Sequence, residues 1–321
     1  LKHTSYTRVC DISRPYSLRA MPFRWQSPSF RSLSSRWCYV STRQASTGAS
    51  WAMRVGPSAP LPPWLAGAWE RRHIRSPASG PADSSQLVRY VQCSGEADGA
   101  RGAPFVDLRL PAAGPPPGPA PASLAACSAE QLAWLFGGST AFAGLACVLE
   151  EDGPQVAGCG REVACWHACL RTWPPEDAAA AWAAAWAGKH PTQDCGRVRH
   201  VADASEGRQV PEWYEYDITG DGYEEFWRRL PPAGAAAGAQ GSCALARTAG
   251  PGPLELLVVN EGRFGYFRDS RPPELVAELL ALCSQGASLE RLLLDEARPL
   301  EWRRAAVDCE CSAGTCDGWL V

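Results

Sequence analysis

Residues 254–269 read LELLVVNEGRFGYFRD: two apolar runs rich in Val, Leu, Phe and Tyr, separated by Asn260-Glu261-Gly262. Asn and Gly tolerate the positive φ angles that a tight turn between antiparallel strands demands, so the stretch predicts a β-hairpin. Working outward, Phe105 to Leu110 (FVDLRL) alternates Phe, Asp and Arg with Val, Leu and Leu. A period of two marks a strand with one face buried differently from the other. Gln86 to Gln92, Thr140 to Glu150, Glu162 to Arg171, Trp213 to Ile218 and Tyr223 to Arg229 read as further strands, and Ala305 to Cys311 as a last candidate. Helical patterns are few. Ser128 to Phe136 opens with a capping Ser, Pro273 to Cys283 carries Pro in its first turn, and the Ala-rich residues 177–188 have high helix propensity. Many strands at short spacing with few helices predict a mainly β protein, a barrel or a sandwich.

Two likenesses narrow this to a barrel. Trp64 to Arg75 (WLAGAWERRHIR) carries an L-x-G-x-W pattern that resembles the first strand of many calycin barrels, where Gly permits a bend and Trp plugs the floor. Further along come Trp69-Glu70-Arg71, Val88-Arg89-Tyr90-Val91-Gln92, Asp107-Leu108-Arg109-Leu110-Pro111, Phe142-Ala143-Gly144, Ala164-Cys165-Trp166-His167 and Val307-Asp308-Cys309-Glu310-Cys311-Ser312-Ala313-Gly314. In order and over residues 64–321, these resemble an uncharacterised family of bacteria and some eukaryotes. The resemblance implies an antiparallel, lipocalin-like (calycin) β-barrel with a few short helices, and no established activity. Trp69 followed by FVDLRLP is echoed by Trp227 followed by FGYFRDSRP, so the body reads as one large or two smaller barrels. The Pro-rich residues 111–122 and the Ala/Trp residues 177–188 look like insertions.

Charge divides the chain. Residues 1–63 hold nine Lys and Arg against a single acid, Asp11, whereas the remainder holds 22 basic and 33 acidic residues. We expect residues 1–62 to be a disordered basic leader that does not pack into the core, and residues 63–321 to form the body, with a subdivision near 176–195. The leader reads either as an organelle transit peptide starting at Met21 or as translated non-coding sequence before Met53. These readings place the protein in a mitochondrion or plastid, or in the cytoplasm; both are intracellular. An acidic body argues against nucleic acid as a partner. No apolar run is long enough to span a membrane as a helix. Without export, most of the fourteen Cys are expected as thiols.

Chemistry-bearing motifs are sparse. Cys159-x5-Cys165-Trp166-His167-Ala168-Cys169 offers only one usable metal-ligand step, and Asp217-x-Thr219-x-Asp221-Gly222 lacks the closing Glu of a calcium loop, so no metal and no cofactor are expected. Phosphate-loop, dinucleotide and nucleophile-elbow signatures are missing from the sequence. Fourteen Trp supply large apolar walls that each carry one polar N–H. The leading expectation is therefore a barrel that binds a small apolar or amphipathic ligand, lined by Trp69, Arg109, Trp166 and His167. The alternatives are a filled barrel acting as a protein-interaction scaffold, and a hydrolase or isomerase using His167 as base with Glu70, Asp107 or Glu310 beside it.

Overall fold

The computed structural model describes residues 55–59, 61–94, 102–111, 117–137, 139–151, 162–177, 180–181, 194–201, 211–218, 222–233, 242–248 and 254–315. Ten strands form the larger sheet: β1 (Val55–Ala59), β2 (Gly67–Arg75), β3 (Ala82–Asp83), β4 (Gln86–Gln92), β5 (Ala103–Pro111), β6 (Thr140–Glu151), β7 (Glu162–Arg171), β8 (Asp194–Val201), β9 (Glu212–Asp217) and β10 (Glu224–Arg229). Eight of them run in the antiparallel order β6-β5-β4-β2-β10-β9-β8-β7, and β7 pairs back onto β6. The sheet is a closed eight-stranded barrel. Closure removes the exposed edges that an open sheet would present.

The barrel interior follows from alternation. Trp69, Val88, Tyr90, Phe105, Ala146, Val148, Ala164, Trp166, Val198, Trp213 and Trp227 form one buried cluster, together with Leu61, Leu65 and Ala66 from the segment before β2. That segment plugs one end. The Trp69 indole donates to the Leu65 carbonyl at 2.9 Å, and Trp64 stacks on His200 with ring centroids 5.1 Å apart. Gly67 turns the chain from plug into wall at φ 146°, a conformation L side chains rarely adopt. The order begins earlier than the leader expectation allowed: β1 pairs with β6, and Leu61 is buried. Leu61 folds into the end of the barrel beside Leu65 and Ala66, where burying its side chain contributes about 1.5–3 kcal/mol.

The 254–269 hairpin forms as expected, but outside the barrel. β11 (Ser242–Thr248), β12 (Leu254–Asn260), β13 (Arg263–Asp269) and β14 (Cys309–Thr315) make a separate four-stranded antiparallel sheet. Glu261 and Gly262 take φ 50° and 74° in its two-residue turn. Leu256, Val258 and Phe267 pack against Ala68, Val91, Val106, Ala143 and Leu145 on the outer face of the barrel. The body is thus one barrel with a sheet laid against it, and the echo between Trp69 and Trp227 joins two adjacent strands, β2 and β10, rather than two barrels.

Four helices, α1 (Ala129–Gly137), α2 (Pro273–Ser284), α3 (Leu289–Leu294) and α4 (Leu300–Ala305), pack on one another and on Trp173, just past β7. Ser128 caps α1 reciprocally with Gln131, its Oγ accepting from the Gln131 amide at 3.2 Å while Gln131 Oε1 accepts from the Ser128 amide at 2.9 Å. The candidate strand at 305–311 is corrected: α4 runs to Ala305, and β14 starts only at Cys309. The Ala-rich helix expected over 177–188 lies largely outside the described residues. No helix among the described residues is long and apolar enough to cross a membrane.

Candidate ligand cavity

Opposite the plugged end, the barrel interior changes from aromatic to charged. Inward alternation on β5 places Phe105, Asp107 and Arg109 in file, so the run FVDLRL climbs from the aromatic layer into the polar one. On β9 the file is Trp213 then Glu215, and on β10 it is Trp227 then Glu225. A small cavity lies at this junction, lined by Tyr90, Asp107, Arg109, Phe142, Trp166, Asp194, Trp213, Glu215 and Trp227. Its volume is about 20 Å³, room for a water molecule and little more.

The charged layer is internally paired. Arg71 hydrogen-bonds Glu225, both almost fully buried, and donates to Gln86 Oε1 at 2.8 Å. Arg109 holds Asp107 through Nε and Nη2 at 3.2 and 3.0 Å, lies 3.7 Å from Glu225, and covers the Phe142 ring at 5.1 Å. Burial pushes the Asp107 carboxyl up, although Arg109 pulls against it. Burial would lower the Arg109 guanidinium, but Asp107 and Glu225 outweigh it and raise it, so the charge is secure. Glu215 is held well above the usual carboxylate range, first by burial and then by Glu225 and Asp194; Tyr223 donates to it at 2.8 Å. Gly196 makes room for that carboxyl, since a Cβ there would lie 2.8 Å from Glu215 Cγ.

The aromatic layer holds the less settled polar atoms. Trp166 donates to the Tyr90 hydroxyl at 3.0 Å, and Tyr90 in turn bonds Gln92. Trp213 and Trp227 are cross-strand neighbours whose rings stack 5.2 Å apart and 2° from parallel. Both indole N–H groups are buried with no partner, and so is Glu225 Oε2. Leaving a buried donor or acceptor unpaired costs about 1–3 kcal/mol.

No family model, curated protein or solved structure matches the chain. What the site can do therefore rests on its own geometry.

Of the four residues expected to line a cavity, Arg109 and Trp166 do so. Trp69 sits one layer below, edge-on to Trp213 at 6.1 Å. His167 follows Trp166 on the strand and so faces out of the barrel, where its Nε2 lies 3.5 Å from Cys147 Sγ. The carboxylates weighed as its partners are dispersed. Asp107 faces the interior, Glu70 bonds Arg72 and Arg89, and Glu310 sits opposite Arg268 in the outer sheet.

Cys165 and Cys195 form a disulfide, while the described thiols include Cys127, Cys147, Cys169, Cys283, Cys309 and Cys311. Cys159 and Cys316 lie outside the described residues. Among those described, no group of three or more His, Cys, Asp or Glu is arranged to hold a metal ion. The Asp217 carboxylate instead accepts the Gly222 amide at 2.9 Å, closing the β9–β10 turn. The sequence reading missed Trp213, Glu215, Glu225 and Trp227. The signal was present in EWYEYD and EEFWRR, where a Trp and a Glu two residues apart must share a face.

Proposed function

We propose that the barrel is a binding module for a small amphipathic molecule, in the manner of lipocalin-like barrels. The ligand's apolar part lies against Trp166, Trp213 and Trp227, and its polar end lies among Arg109, Glu215 and Asp194. The supporting observation is the pair of unpartnered buried indole donors, Trp213 and Trp227, in the wall of an aromatic cavity. A molecule with a hydrogen-bond acceptor would satisfy the indoles, and the aromatic walls suit a flat body. A larger body requires the Arg109–Phe142 stack to swing aside, because the cavity has room only for water.

That small volume favours a second reading, a filled barrel that serves as a rigid scaffold for a protein partner. Native mass spectrometry of the purified full chain, beside its denatured mass, separates the two. Binding predicts an adduct of a few hundred daltons that is lost on denaturation. A native mass equal to the bare chain, with Trp fluorescence unmoved by indole or 8-anilinonaphthalene-1-sulfonate, overturns the binding reading in favour of the scaffold.

A further inference from the structure

Three cysteines stand in one row on the outer wall of the barrel. Cys147 on β6 is in register with Cys165 on β7, and Cys165 is in register with Cys195 on β8. Trp166 faces the cavity, so alternation turns Cys165 and His167 outward. There Cys147, Val163 and Cys165 form one apolar cluster with Cys195 packed against it. The bond of the row joins Cys165 to Cys195, and Cys147 is the thiol. Cys147 is buried at 4% exposure, whereas Cys195 is half-buried. The His167 ring nitrogen Nε2 sits 3.5 Å from the Cys147 sulfur.

We propose that Cys147, Cys165 and Cys195 are a thiol–disulfide exchange site, in which Cys165 passes its bond from Cys195 to Cys147. The central cysteine has a partner directly opposite on each side, which is what a bond handed between strands requires. Cys147 gives its proton to His167 Nε2, and its sulfur attacks Cys165 Sγ. The Cys165–Cys195 bond breaks, its electron pair leaves on the Cys195 sulfur, and that thiolate takes up a proton. One S–S bond and one S–H bond stand on each side of the step, so neither an oxidant nor a reductant is consumed. Burial pushes the Cys147 thiol up to about 12, which leaves little thiolate near neutrality and makes a neighbouring base necessary. The exchange moves the reactive thiol from a buried strand position to a half-buried one. Cys195 then becomes the group that a thiol-reactive electrophile or a disulfide-bearing partner meets. This site lies on the outer face and is independent of what the cavity binds.

The full chain, without reductant, is incubated under native conditions with N-ethylmaleimide, denatured in acid, labelled with the deuterated reagent and mapped by mass spectrometry after digestion. Alkylation of Cys195 traps each exchange event. The expected result is native-stage label on Cys195 accumulating in step with a Cys147–Cys165 linked peptide. Cys147→Ser should abolish both and keep the Cys165–Cys195 link, with Cys147→Ala serving if the serine variant fails a melting check. His167→Gln should slow the labelling at least tenfold while leaving the starting disulfide in place. A wild-type chain that retains only the Cys165–Cys195 link, or Cys195 labelling at the same rate without Cys147, overturns the exchange. An unchanged rate in His167→Gln overturns the role of the base.

Discussion

Glu215 and Glu225 stand directly opposite one another on β9 and β10, and both are buried inside the barrel. Two carboxylates so placed cannot both ionise cheaply. Glu225 has the Arg71 guanidinium, while Glu215 has a neutral phenol, Tyr223, and is the one driven toward its protonated form.

That relationship sets a pH dependence. Because the folded protein raises the Glu215 carboxyl above its unfolded value of about 4.3, the folded state binds the extra proton, and stability falls as pH rises from there through the folded pKa. The slope contributed by this group approaches about 1.4 kcal/mol per pH unit within the window. Glu215→Gln keeps the acceptor for Tyr223 and removes the titration. Urea unfolding from pH 4 to 8 should therefore give a flatter profile for the variant, with the two proteins converging at the acid end. Parallel profiles would mean that Glu215 does not titrate differently on folding.

Arg71 compensates a buried charge. Arg71→Met should cost about 3–5 kcal/mol in urea unfolding, because Glu225 loses its hydrogen-bonded cation and keeps only Arg109, 3.7 Å away. Adding Glu225→Gln should recover part of that loss, the coupling being read from a double-mutant cycle.

The seam between barrel and outer sheet leaves no space at Gly265. A Cβ there would lie 2.8 Å from Val106 Cβ. Gly265→Val should lower stability by about 1–3 kcal/mol through overpacking, measured by urea denaturation. A neutral result would show that the sheet can lift away from β5.

Arg271 ties the end of β13 to the end of β7. Its Nε and Nη2 grip Asp269 at 2.9 and 2.6 Å, while Nη1 and Nη2 donate to the carbonyls of Thr172 and Arg171 at 2.9 and 2.7 Å. Lysine carries the charge but not the fork, so Arg271→Lys should cost about 1.5–3 kcal/mol, read as a lowered melting temperature.

The strands were legible where alternation was clean. FVDLRL carried both its strand and the inward file of Phe105, Asp107 and Arg109, and the 254–269 turn was readable from Gly262, although its partner at positive φ is Glu261 and Asn260 closes the ladder. Which sheet the hairpin joins was not legible, since Leu256 and Val258 buried against a barrel wall look like residues within one. Leu289–Leu294 and Leu300–Ala305 are single short helices, below the length at which a 3.6-residue period declares itself. The Glu215–Glu225 pair and the Cys147–Cys165–Cys195 row depend on strand register. Register is a property of tertiary pairing that local pattern does not encode.

Closure of the barrel between β2 and β10 brings Arg71 to Glu225 across 154 residues of chain. Until β10 has left the ribosome, one side of β2 has no strand to bond, and the Trp-rich inner wall has no opposite wall. Pairings of such long range form slowly and leave unpaired edges open to other chains meanwhile. The nascent protein should therefore depend on a chaperone over the interval between those two strands, and slower synthesis, by lengthening that interval, should increase the dependence.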